Sequence, residues 1–141
     1  MSNDLEKISS FLSQHHVLSL GTHDENELSV CSLFYTYFPP SHSFIVASSD
    51  DTTHIKHIIN NSQVAGNILL ETKNVGQIQG VQFRGNFTRL DDDSMKERYF
   101  KAFISARDMN PIFWKIQVKY FKMTDNTQGF GKKIIWRDAS L

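Results

Sequence analysis

Segments with a two-residue apolar alternation recur along this chain, and most successive ones have only a turn between them. That succession restricts the fold more than any other feature. Read end to end, the order is α-β-β-β-α-β-β-α-β-β. Strands joined by short polar turns pair antiparallel, whereas parallel neighbours need a crossover of roughly a dozen residues or more. A doubly wound parallel sheet is thus excluded. The expected class is mainly β (α+β): a small antiparallel barrel with peripheral helices, whose closure removes exposed strand edges.

The strands are legible one by one. Residues 16–22 form a short apolar run. Residues 28–37 alternate, with Leu28, Val30, Ser32 and Phe34 on one face and Cys31, Leu33 and Tyr35 on the other. Pro39 and Pro40 break the run, and residues 43–48 resume it. Residues 63–70 and 77–90 follow, with Gly80 and Gly85 marking bulges or a tight bend in the longer strand. Residues 112–123 place Trp114, Ile116, Val118 and Tyr120 opposite Lys115, Gln117 and Lys119, and residues 129–136 form the last strand. Three helices interrupt the series. The first, over 4–15, carries Leu5, Ile8, Phe11 and Leu12 on one stripe, with Asn3 and Glu6 at capping-box spacing. The second covers 53–61. The third, over 94–105, starts from Asp91, Asp92, Asp93 and Ser94.

Eleven Phe, four Tyr and two Trp in 141 residues exclude a disordered chain. Fifteen basic residues balance fifteen acidic ones, so the excess expected of a nucleic-acid binder is absent. The balance is uneven, because the first 60 residues are acidic and the remainder basic, which suits an anionic ligand near the later segments. Cys31 stands alone, which excludes an internal disulfide and a cysteine-based zinc site. Its apolar strand neighbours make it an inert thiol. No run approaches the roughly 18 apolar residues of a membrane span, and the start lacks a signal-peptide core; a cytoplasmic protein with no membrane contact is expected.

Few motifs carry chemistry. Residues 129–133 imitate a phosphate loop, but Asn126 stands where its first glycine belongs and Lys133 where a Ser or Thr belongs. His54 and His57 share a helix face at i, i+3. They read as ordinary helix residues, as the start of a metal site with Asp50 or Asp51, or as part of an anion site; no third ligand stands out, and no metal is assigned. Ser48, Ser49, Thr52 and Thr53 crowd a strand end and helix start just before His54, where hydroxyls and free backbone N–H groups suit an anion. Trp114, Tyr120 and Trp136 read as core residues. No side chain stands out as a catalytic acid, base or nucleophile.

Gly80, Val81, Gln82, Phe83, Arg84 and Gly85, together with the long run from Phe121, Lys122 and Met123 through Asp125 and Asn126 to Trp136, resemble the YhbP-like family of the pyridoxamine 5′-phosphate oxidase-related flavin-binding proteins. Gln14, His15, His16 and Val17 after the first helix also fit, and the resemblance spans nearly all of a single domain, 1–141. It implies a Greek-key split β-barrel and a homodimer holding FMN at the subunit interface. By the same resemblance, Ser32, Leu33 and Phe34 pass the isoalloxazine ring, and Ala47, Ser48, Ser49, Thr52, Thr53 and His54 hold the phosphate and ribityl chain. Relatives often carry Ser-x-Lys where this chain has Thr52, Thr53 and His54, so His54 is expected to replace the lysine. The resemblance also implies that Gln82 reaches the flavin and that Lys132 and Trp136 come from the partner subunit. The activity implied is a flavin-dependent oxidation or reduction of a small molecule. The alternatives are a non-enzymatic flavin module, a haem module using His54 or His57, and a cofactor-free dimer.

Overall fold

The computed structural model describes residues 2–139. Its elements are α1 (Ser2–Ser13), β1 (Val17–Asp24), β2 (Glu27–Phe38), β3 (Ser43–Ala47), α2 (Thr53–Asn60), β4 (Gln63–Leu69), β5 (Gln79–Arg89), α3 (Asp93–Ala102), β6 (Phe113–Asp125) and β7 (Lys133–Arg137). Every expected element is present, in the expected order. Three expectations shift. Helix α1 already includes Asn3, which sits in its first turn and does not cap it. The last strand begins only at Lys133, because Gly129 and Gly131 take φ of 132° and 75° in the preceding turn. Strand β6 runs on to Asp125, whose carboxylate accepts from the Thr127 backbone N–H and turns the chain.

The sheet order is β3-β2-β1-β4-β5-β6-β7, every pairing is antiparallel, and β3 also pairs with β6. That last pairing closes a six-stranded barrel and leaves β7 as an outer flap on β6. Inside lie Leu18, Leu20, Tyr35, Phe44, Phe83, Phe87, Ile116 and Phe121, with Ile8, Phe11 and Leu12 of α1 plugging one end. A second apolar cluster, Ile45, Leu90, Met95, Tyr99 and Phe113, sits between the barrel wall and α3. Asp92 caps α3, its Oδ1 accepting from the N–H groups of Ser94 and Met95. Among the described residues no helix is long and apolar enough to cross a membrane.

One irregularity resets the outer surface. Arg84 pairs with Tyr120, but Gly85 pairs with Val118, so Lys119 is an extra residue in β6. The inward phase passes from Ile116 and Val118 to Phe121 and Met123 across it. Tyr120, expected in the core, is therefore turned outward. Gly85 is required at the bulge: a Cβ there would stand 2.3 Å from the Gln117 carbonyl oxygen.

Candidate functional site

The hydroxyl-rich segment after β3 is built around a buried imidazole. Ser48 leaves the sheet with its N–H donating to the Ile112 carbonyl (3.0 Å), while its own carbonyl accepts from the Trp114 indole N–H (3.0 Å). Thr52 stands at the N-cap of α2 in extended conformation, and its hydroxyl donates to the Ser49 carbonyl (2.9 Å), not to the helix. His54, 8% exposed, places Nε2 at 2.5 Å from Ser48 Oγ and 3.3 Å from Thr52 Oγ1. The Thr52 proton is committed to Ser49, so one tautomer satisfies both contacts: Nε2–H donates to the two hydroxyl oxygens. The Ser48 O–H then remains available to a ligand. Desolvation foremost, and after it the charge of His57, hold the His54 imidazole below its ordinary pKa. His54 is thus neutral at pH 7, and it orients hydroxyls instead of supplying the charge of a lysine.

A fixed cation lies beside the segment, in a residue the sequence reading passed over. Arg89, the last residue of β5, sets its guanidinium 5.1 Å from the Trp114 ring centroid and 3.8 Å from the Asp50 carboxylate. Only the pairing of β5 with β6, and of β6 with β3, brings Arg89 to the 48–54 loop. The one trace of it in the sequence is the basic bias of the later segments.

His57 faces the other way. Its Nδ1 meets Thr22 Oγ1 at 2.9 Å, and its Nε2 meets Glu27 Oε1 at 2.6 Å. Asn60 with Asp24, and Asn61 with His23, extend this latch between α2 and the β1–β2 hairpin. Both histidines are buried, not half-exposed as an ordinary helix face would leave them. Among the described residues no three His, Cys, Asp or Glu gather as a metal would need.

The remaining expected contacts divide by strand. Tyr35 pairs with Val46, so Leu33 and Phe34 run alongside Ala47 and Ser48. Ser32 and Phe34 point outward and are exposed, whereas Leu33 packs against the core and offers only its backbone. Phe34 touches the rings of His16 and Phe103. Ser49 and Thr53 are exposed beside Thr52. Gln82 shares an outward row with Asn67, Ser19 and Ser32, three strands from Ser32. Lys132 and Trp136 do not join the 48–54 segment within the protomer. Trp136 pairs with Phe121, eight residues along β6 from Phe113, a span of roughly 26 Å. It packs inward on Phe121 and His42. Cys31 is partly buried, and desolvation pushes its thiol pKa up.

A cavity of about 740 Å³ opens elsewhere on the outer face, between Val30, Gly21 and Ala65 on one side and Arg84, Tyr120 and Arg137 on the other. None of the residues expected from the sequence to hold the cofactor lines it, though Gln82 borders an adjoining hollow.

No family model matches the chain. A UPF0306 protein of Enterobacter sp. (strain 638) is 39% identical over 138 residues, which span 96% of this chain and 97% of that one. The chain belongs to the UPF0306 family. A Klebsiella pneumoniae member is 38% identical over 94% of this chain and 92% of its own, and the Escherichia fergusonii member, called YhbP, is 34% identical over 96% and 95%. The UPF0306 fold recurs at low identity in solved structures. A haem-binding protein from Mycobacterium smegmatis superimposes with a TM-score of 0.77 at 14% identity, over 95% of this chain and 57% of that one. An FAD-binding protein from Mesorhizobium loti gives 0.70 at 15% identity, over 84% and 90%. A Listeria innocua protein, described provisionally as a pyridoxamine 5′-phosphate oxidase, gives 0.68 at 17%, over 84% and 96%. The UPF0306 chain is thus a split barrel of the pyridoxamine 5′-phosphate oxidase type.

Proposed function

We propose that this UPF0306 protein is a flavin-binding split barrel that takes FMN and serves the oxidation or reduction of a small molecule. The observation that carries this reading is the Ser48–His54–Thr52 cluster at the start of α2, with Arg89 beside it. The Ser48 O–H and the first N–H groups of α2, to which Thr52 makes no side-chain cap, would bind the phosphate, while Thr52 would hold the loop through its bond to the Ser49 carbonyl. Ser49 and Thr53 would flank it, and His54 would hold the hydroxyls in place. The backbone at Ser32, Leu33, Phe34 and Ala47 would run along the ring, with Gln82 further across the same face. FMN, when bound, carries the electrons; the protein supplies position and electrostatics.

A haem reading is the weaker one, although solved neighbours include a haem-binding protein. Both nitrogens of His57, and Nε2 of His54, are already engaged, so an axial ligand through any of these three atoms would have to break an internal hydrogen bond.

A second copy completes the proposal, and Lys132, exposed before β7, would reach the cofactor from it, whereas Trp136 packs inward within its own protomer. Val17, Phe34 and Leu69 stand 41%, 55% and 59% exposed on the outer face, an apolar surface a partner would cover.

An absorbance spectrum and a fluorescence titration of flavin into the protein test the reading. FMN should bind more tightly than riboflavin, and Ser48→Ala should erase most of that difference. A Soret band in the purified protein, or equal affinity for FMN and riboflavin, would overturn it.

A further inference from the structure

We infer that the outer-face groove is a second ligand site, one that takes a planar aromatic molecule bearing a phosphate or carboxylate. The inference does not depend on what binds at residues 48–54. The groove lies about seven residues along β6 from Phe113, roughly 20 Å away.

The wall comes from the bulge. Because Lys119 is an extra residue, Tyr120 turns out of the barrel into a row with Arg84 of β5 and Arg137 of β7, its paired neighbours on the two flanking strands. Both guanidiniums stack on the phenol ring, Arg84 at 4.1 Å and Arg137 at 4.8 Å from its centroid. A guanidinium stacked on a ring keeps its in-plane N–H groups for an anion, and their fork matches carboxylate or phosphate oxygens. Two such forks therefore stand about one phenol. Lys119 lines the same groove, and Asp138 is the one carboxylate among its described lining residues, so cations predominate.

The floor is small and the far wall apolar. Along the row that carries Tyr120, the paired residues of β4 and β1 are Ala65 and Gly21, and Val30 follows on β2. Packing does not demand the glycine. A Cβ at Gly21 would meet only the Ala65 carbonyl oxygen, at 3.4 Å, an ordinary contact, whereas one at Gly66 on the inner face would stand 2.1 Å from the Ser19 carbonyl. Gly21 thus keeps open a floor on which a flat body can lie. Leu28 and Val30, 84% and 77% exposed, form the opposite wall. The volume of about 740 Å³ lies within the roughly 300–1,000 Å³ usual for small-molecule sites.

Naphthyl phosphate, followed by its own fluorescence, is a suitable probe, with naphthol and inorganic phosphate as the two halves tested apart. The intact probe should bind at least tenfold more tightly than either half. Arg84→Ala and Arg137→Ala should each weaken it about tenfold or more, the range for hydrogen bonds to charged groups. Gly21→Val should abolish binding without lowering the melting temperature appreciably, and Arg84→Lys should retain part of it. Unchanged affinity in the Arg84→Ala, Arg137→Ala double variant would overturn the inference. So would phosphate binding as tightly as the aromatic ester. Stoichiometric displacement of the probe by FMN would make the groove the cofactor's own seat. A Gly21→Val protein that loses its partner copy yet keeps the probe would make it an interface.

Discussion

In the proposed site, His54 would serve by orienting hydroxyls and not by carrying the charge. Its pKa is held below the ordinary value, so the unfolded chain takes up a proton near pH 6.5 before the folded one does. The stability linked to His54 is therefore full above about pH 6.5 and is lost as the pH falls below it. Melting temperatures between pH 8 and 5 should decline on the acid side, and His54→Gln should decline less steeply over the same window. A parallel fall in both proteins would remove His54 as the cause. The charge at the site belongs to Arg89, which shares itself with Asp50 at 3.8 Å. Both are more than half exposed, so effects are modest: Arg89→Ala should weaken FMN about threefold to tenfold, and Asp50→Asn should tighten it about twofold. Riboflavin, lacking the phosphate, should respond to neither.

Among the elements, β5 and β6 show where a strand pattern stops being readable. The alternation of Trp114, Ile116 and Val118 is plain in the sequence, and extrapolating it put Tyr120 in the core. The extra residue Lys119 inverts the phase, and nothing local announces it; the signal lies on the partner strand, in Gly85. Gly85→Ala forces a Cβ against the Gln117 carbonyl and should cost about 1–3 kcal/mol in urea unfolding. Gly21→Ala, which meets only an ordinary contact, should change stability by less than about 1 kcal/mol. Equal losses would mean that Gly85 is not what admits the bulge. Helix positions were easier to read, because Met95 and Tyr99 sit at i, i+4 and both bury. The hydroxyls of residues 48–53 were legible for the same local reason. Arg89, Arg137 and the latch on His57 were not, since each depends on strands brought together from distant parts of the chain.

For the whole molecule, the outer face of the barrel is where the proposed second copy would sit. Phe34 pairs with Val17 across β1 and β2, and Leu69 stands exposed on β4. A second copy seated there should bury more than about 1,000 Å² in all. Light scattering should report a dimer at micromolar concentration, and a Val17→Asp, Phe34→Asp double variant should report a folded monomer. A parent protein that scatters as a monomer would refute this.

Closure of the barrel joins Ser43 to Gln117, 74 positions later. A ribosome adds roughly 5–20 residues each second, so β3 waits about 4–15 s for the strand that will seal it. Through that interval Phe44, Ile45 and Val46 are already made, yet the strand they will pair with has not been synthesised. The nascent chain is thus most vulnerable to a wrong partner in the window set by that delay, and whatever protects it must act before β6 has been translated.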